Sequence, residues 1–140
     1  MQIQKFVLAA VLTLAGAAAQ AQVAVIVNAK NAAASMTADQ VSAIFLGKTA
    51  TLPSGATAAP ADQAEGSAVR EQFYAKVAGK QAAQVKAAWS RLVFSGKGTP
   101  PKELASSADV KKFVAANPDA IGYIEKSAVD GSVKAVLTVD

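Results

Sequence analysis

The chain alternates between short apolar runs and longer stretches with helical spacing, which predicts strands interleaved with helices. Residues 22–27 are nearly all apolar and β-branched, a pattern typical of a strand buried on both faces. A second extended run covers residues 57–62, where Pro60 disfavours helix in the residue before it. Further strands are expected at residues 120–124 and at residues 132–139, where apolar and polar side chains alternate.

Helix signals fall between these strands. Thr37 and Gln40 have the spacing of a capping box, which predicts a short helix that ends at Gly47. Three later stretches place their apolar residues on one helical face. They are residues 68–78, 81–93 and 108–116.

The predicted order of elements is β-α-β-α-α-α-β-β. No internal repeat, charge run or low-complexity linker divides this order. Strands that alternate with helices favour one α/β domain, with a mixed sheet flanked by helices. Gly122, inside the third predicted strand, indicates close approach of another backbone.

Residues 1–21 have the pattern of a secretory signal peptide. Lys5 precedes an apolar run from Phe6 to Ala19, and an A-x-A cleavage site ends at Ala21. A membrane anchor is the alternative, but this run is shorter than the ~20 residues that a span needs. We therefore expect cleavage after Ala21, a mature domain at residues 22–140 and a periplasmic location.

Composition excludes several kinds of chemistry. The chain has no cysteine and no histidine, which removes disulfides, thiolate metal sites, the usual general base and any Ser-His triad. The formal charge is +4, and the basic residues do not form the clustered stripe that is typical of nucleic-acid binding. We therefore expect a protein that is not an enzyme and has no metal, cofactor or nucleic-acid partner.

The stretch from Asp62 to Tyr74 carries the most specific binding pattern. It has the features of a strand end, a tight turn at Gly66 and a helix capped by Ser67. A helix start leaves unpaired N–H groups and the positive end of a dipole, which together favour a small anion. Arg70 lies one turn into this helix and could bind an anion through two hydrogen bonds.

Three stretches of the chain, taken in order and spacing, resemble the phosphate-binding component of the bacterial ABC phosphate transporter. They are Ala43–Lys48, Glu65–Phe73 and Asp119–Ile124. The likeness is to the short exported members of that family, and it covers nearly all of the mature chain. It implies a single lobe of a type II periplasmic binding protein, whereas full-length members clamp phosphate between two α/β lobes.

The resemblance implies roles for individual residues. Ser67 matches a family serine that donates its hydroxyl, whereas Ala68 or Val69 stands where the family has a threonine. Asp62 or Glu65 is the candidate acceptor for a protonated phosphate. The candidate ligand-binding residues are Gly66, Ser67, Ala68, Val69, Arg70, Asp62, Glu65 and Asn28. Asn28 lies in the loop after the first strand, and the alternative is that this loop only faces solvent.

Two functions remain open from the sequence. The first is a periplasmic binding module for phosphate or a similar oxyanion, held at a helix N-terminus and serving an ABC transporter permease or another periplasmic protein. A second copy in a homodimer, or another protein, would then supply the second wall of the cleft. The second is an accessory or interaction protein without a ligand, in which Ser67 only caps its helix and Arg70 pairs with a surface carboxylate.

Overall fold

The computed structural model describes residues 22–140, so the predicted signal peptide lies outside the described residues. The strands are β1 (Val23–Asn28), β2 (Ala59–Gln63), β3 (Lys102–Leu104), β4 (Ala120–Glu125) and β5 (Val133–Val139). The α-helices are α1 (Ala38–Phe45), α2 (Ala68–Phe73), α3 (Ala82–Phe94) and α4 (Ser107–Ala116). Helix α2 continues as a π-helical turn, Tyr74–Ala78, and a 3-10 turn covers Lys126–Ala128. In this part of the chain, no helix combines the length and apolar character that a membrane span requires.

The prediction of a mixed sheet flanked by helices is confirmed. The five strands form one sheet in the order β3-β2-β4-β1-β5. The capping box of Thr37 and Gln40 begins α1, as expected. Strand β3 is absent from the predicted order, because three residues with two exposed charged side chains give no periodic signal.

The strand directions decide which chain segments meet. Strand β2 pairs in parallel with β3 and β4, whereas β1 pairs antiparallel with β4 and β5. The carboxyl ends of β2, β3 and β4 therefore lie at one edge of the sheet. Helices α2 and α4, which follow β2 and β3, both begin at that edge, and the carboxyl end of β1 lies at the opposite edge.

The sheet is covered on both faces. One face packs against α1 and α2, where Phe45, Phe73 and Tyr123 form an aromatic cluster. The rings of Phe73 and Tyr123 stack with their centroids 4.0 Å apart. The other face packs against Val110 and Val114 of α4. All of β1 is buried, as its apolar pattern predicts.

Gly122 marks the point where α4 crosses β4. A Cβ atom added at Gly122 would lie 2.5 Å from Val110 Cγ1 and 3.3 Å from Val114 Cγ2. The expected close approach is therefore present. It is made by side chains of a helix, however, and not by another backbone.

Replacing this glycine should destabilise the domain. Gly122→Ala is expected to cost about 1–3 kcal/mol in the free energy of unfolding, because the valines can yield only if α4 shifts. Urea unfolding measures the change. Gly131→Ala is the control, since nothing lies within 4 Å of its added Cβ. Equal stability of the two variants would contradict the close packing of α4 on β4.

Candidate functional site

The predicted corner between β2 and α2 is present, and Ser67 caps the helix. Gly66 adopts a left-handed φ of +82° with open space around it. Ser67 Oγ accepts from the backbone N–H of Arg70 at 3.3 Å and donates to Gln63 Oε1 at 3.1 Å. The hydroxyl proton of Ser67 therefore points at Gln63. The Ser67 hydroxyl must rotate away from Gln63 before it can donate to a ligand.

Gln63 joins the starts of two helices. Its Nε2 donates to Ser107 Oγ at 3.0 Å and to the carbonyl oxygen of Tyr123 at 3.1 Å. Since Ser67 and Ser107 stand at the first turns of α2 and α4, the positive ends of both helix dipoles converge here. The sequence prediction omits Gln63 and Ser107, because nothing in the sequence pairs a strand end with a helix 44 residues later.

Arg70 is buried at this corner, with only 6% of its surface exposed. Its Nη1 donates to the carbonyl oxygen of Gln63 at 2.9 Å and lies 3.9 Å from Glu103 Oε2. Its Nε is buried without a hydrogen-bond partner and lies 3.9 Å from Asp62 Oδ1. Arg70 therefore pairs with an exposed carboxylate, that of Glu103, as the accessory-protein alternative expects, but its own guanidinium is buried. A buried unpaired donor on a cation is costly and calls for an acceptor.

Asp62 is buried beside Arg70 and already accepts several hydrogen bonds. The hydroxyl of Tyr74 donates to its Oδ2 at 2.5 Å, and the hydroxyl of Tyr123 donates to its Oδ1. The backbone N–H of Gln63 donates to Oδ1 at 2.9 Å. Asp62 therefore holds the corner together, and these three hydrogen bonds use three of the roughly four lone-pair sites of its carboxylate.

Burial raises the pKa of both tyrosines far above the usual range, and the charge of Asp62 raises it further. Tyr74 and Tyr123 are therefore neutral hydrogen-bond donors at any physiological pH. The sequence indicates only packing roles for these residues, since their hydroxyl partners lie in a different element.

Glu65 lies at the exposed rim of the corner. Its carboxylate forms an ion pair with Lys86 of α3 at 2.6 Å, and that hydrogen bond lowers the pKa of Glu65. Its backbone N–H donates to Glu103 Oε1 at 3.3 Å. Glu65 therefore links the corner to α3 and β3.

Asn28 does not lie at this corner. Its Nδ2 donates to the carbonyl oxygens of Val114 and Ala115 at 2.9 and 3.1 Å, where α4 ends. Its Oδ1 accepts from the backbone N–H of Lys30. Because β1 runs antiparallel to β4, the loop after β1 faces the opposite edge of the sheet. Asn28 therefore cannot share one small ligand with Ser67 and Arg70, and the prediction that groups them is wrong.

The first turn of α2 offers backbone donors. Within residues 22–140, no acceptor takes the N–H of Ala68 or Val69. These groups and Arg70 belong to the same turn of helix. The corner thus combines two features that bind small anions, unpaired helix N–H groups and a guanidinium.

Asp62, Glu65 and Arg70 of the corner line a cleft of about 420 Å³ between α3 and the segment that leads into β3. Its charged lining residues are Asp62, Glu65, Arg70, Lys86 and Glu103. Its apolar lining residues are Val85, Trp89, Val93, Phe94, Pro100 and Pro101. Among residues 22–140, no group of three acidic side chains is placed to hold a metal ion.

The tyrosine network predicts a distinctive alkaline behaviour. The chain has 2 tyrosines, Tyr74 and Tyr123, and both should stay protonated in the folded protein at pH values where unfolded tyrosine ionises, above about 10. Because folding raises their pKa, their stabilising effect is present below that pH and is lost as the pH rises further. Tyrosinate absorbance should therefore appear only together with the loss of far-UV circular dichroism. Tyrosinate formation in the folded protein would contradict the buried network.

Comparison with known proteins gives a structural likeness only. No protein-family model and no curated protein matches the chain. Among solved structures, a proposed phosphate ABC transporter substrate-binding protein from Clostridium perfringens, with bound phosphate, aligns at a TM-score of 0.68 and 27% identity. The alignment covers 83% of this chain and 45% of that chain.

More distant structures have the same fold. An ABC-type phosphate transport receptor from Vibrio cholerae aligns at a TM-score of 0.65 and 21% identity, over 83% of this chain and 46% of that one. PstS from Borrelia burgdorferi aligns at 0.60 and 13% identity, over 81% and 46%. The chain spans about half the length of these proteins. The resemblance predicted from the sequence is confirmed: this chain has the α/β fold of one lobe of the phosphate ABC transporter substrate-binding proteins.

Proposed function

We propose that this chain is an exported binding module for phosphate or a similar oxyanion, which it holds at the N-terminus of α2 without catalysis. The observation that carries the proposal is the buried guanidinium of Arg70, whose Nε lacks a hydrogen-bond partner at a corner where two helices begin. An oxyanion is the ligand class that supplies acceptors to such a group.

The backbone supports the same ligand. The N–H groups of Ala68 and Val69 can donate to an anion that also contacts Arg70, and Ser67 joins them if its hydroxyl turns from Gln63. Charge-assisted hydrogen bonds are each worth ~1.5–3 kcal/mol. Asp62 or Glu65 would accept from a protonated phosphate, which would discriminate against fully ionised sulfate.

The length of the chain bears on how the module works. The Clostridium perfringens protein contains bound phosphate, and this chain covers 45% of it. One lobe forms one wall of a cleft, so we propose that a second copy or another periplasmic protein supplies the other wall. An ABC transporter permease is the partner that the structural relatives favour. Export would follow from residues 1–21 acting as a signal peptide cleaved after Ala21.

The charges around the site favour the second function, that of an accessory protein which contacts other proteins and binds no ligand. Asp62 is already occupied by two tyrosine hydroxyls, and Arg70 lies 3.9 Å from two carboxylates, those of Asp62 and Glu103. An entering anion must compete with these negative charges. Titration of the protein with phosphate separates the two functions, because only the first predicts saturable binding.

Arg70→Lys should weaken phosphate binding about tenfold or more, because lysine keeps the charge but loses the planar fork of donors. Calorimetric titration of dialysed protein with phosphate, with sulfate for comparison, measures the effect. Arg91→Lys is the matched control, since Arg91 is exposed on α3. It should bind phosphate like the unaltered protein.

Helix capping needs its own control. Ser67→Ala and Thr37→Ala each remove an N-cap and should each lower stability by ~1 kcal/mol. Only Ser67→Ala should also weaken phosphate binding. If Arg70→Lys and Ser67→Ala both bind phosphate with unchanged affinity, the site is not at this corner.

A further inference from the structure

The cleft beside Arg70 is larger than inorganic phosphate requires. Its volume is about 420 Å³, whereas one water takes up roughly 30 Å³ in the liquid. A phosphate ion has five heavy atoms, so it fills a minor part of this space. Clefts of ~300–1,000 Å³ are typical of sites for larger organic ligands.

The lining of the cleft divides into a charged end and an apolar wall. Arg70 and Lys86 stand at the charged end together with three carboxylates, those of Asp62, Glu65 and Glu103. Helix α3 with Pro100 and Pro101 forms the wall. Val93 and Phe94 on this wall are the exposed large apolar side chains of residues 22–140, with 49% and 95% of their surface accessible. Such exposure beside a cleft marks a surface suited to an apolar group.

Trp89 makes part of this wall rigid. Its indole Nε1 donates to the carbonyl oxygen of Phe45 at 2.7 Å. Its six-membered ring packs closely on Gly47 and Gly98, where an added Cβ would lie 2.9 and 3.1 Å from ring atoms. The ring is therefore held in place before a ligand arrives, which lowers the entropy lost on binding.

We propose that the ligand of this cleft is an organic phosphate, a phosphomonoester with an aromatic or other apolar substituent. This inference rests on the proposed function, because Arg70 anchors the phosphoryl group. The substituent lies along the wall at Trp89 and Phe94. The other cation of the lining, Lys86, pairs with Glu65 at 2.6 Å. Arg70 lies farther from its two carboxylates, at 3.9 Å, and its Nε has no hydrogen-bond partner, so Arg70 is the anchor for the anionic end.

Phenyl phosphate, inorganic phosphate and phenol are suitable probes. The chain has 1 tryptophan, Trp89, so its fluorescence reports on this wall, and calorimetry gives the affinities. Phenyl phosphate should bind at least about tenfold more tightly than inorganic phosphate and should change Trp89 fluorescence. Phenol should bind more weakly than phenyl phosphate, since it lacks the anionic group.

Two exposed positions test the wall without disturbing the core. Phe94→Ser and Val93→Ser should reduce or remove the preference for phenyl phosphate and leave the affinity for inorganic phosphate unchanged. Arg70→Lys should weaken both phosphates. This pattern distinguishes the wall from the anion anchor within one series of variants.

Failure of this inference alone is distinguishable from failure of the proposed function. If inorganic phosphate binds and phenyl phosphate binds no better, the organic ligand is wrong and the proposed function stands. If phenol matches phenyl phosphate, the cleft is an apolar site without an anion anchor, and the inference is overturned. If neither phosphate binds, the inference and the proposed function both fail.

Discussion

The buried carboxylate of Asp62 organises this lobe. It accepts hydrogen bonds from Tyr74 after α2 and from Tyr123 in β4, and it lies 3.9 Å from the guanidinium of Arg70. A charge buried without partners is strongly destabilising, so these groups must come together when the chain folds. The interaction thereby connects β2, α2 and β4, the elements that surround the candidate site.

The same interaction helps to fix the position of the Arg70 guanidinium at the corner. The fork of Arg70 is held at the carbonyl oxygen of Gln63, and its Nε remains without a partner. The helix starts of α2 and α4 meet at this point because their preceding strands are parallel. The guanidinium of Arg70 and the positive ends of two helices thus face one corner. The carboxylates of Asp62 and Glu103 beside Arg70 oppose the binding of an anion there.

Local sequence patterns predict local structure well here. The capping signals at Thr37 and Ser67, the buried strand at residues 22–27 and the turn at Gly66 are all present. The sequence could not reveal the direction of β1, which places Asn28 at the far edge of the sheet. It also could not reveal the contact between Asp62 and Tyr123, which joins residues 61 positions apart. Such contacts depend on strand order, which only the folded chain fixes.

The side-chain resonances of the arginines test the central claim most directly. Arg70 and Arg91 are the arginines of this chain, so their Nε–Hε signals can be followed separately by nuclear magnetic resonance. Addition of phosphate should shift the Arg70 signal and the amide signals of Ala68 and Val69 in a saturable manner, and leave Arg91 unchanged. Equal small shifts at Arg70 and Arg91 that do not saturate would contradict an oxyanion site at this corner.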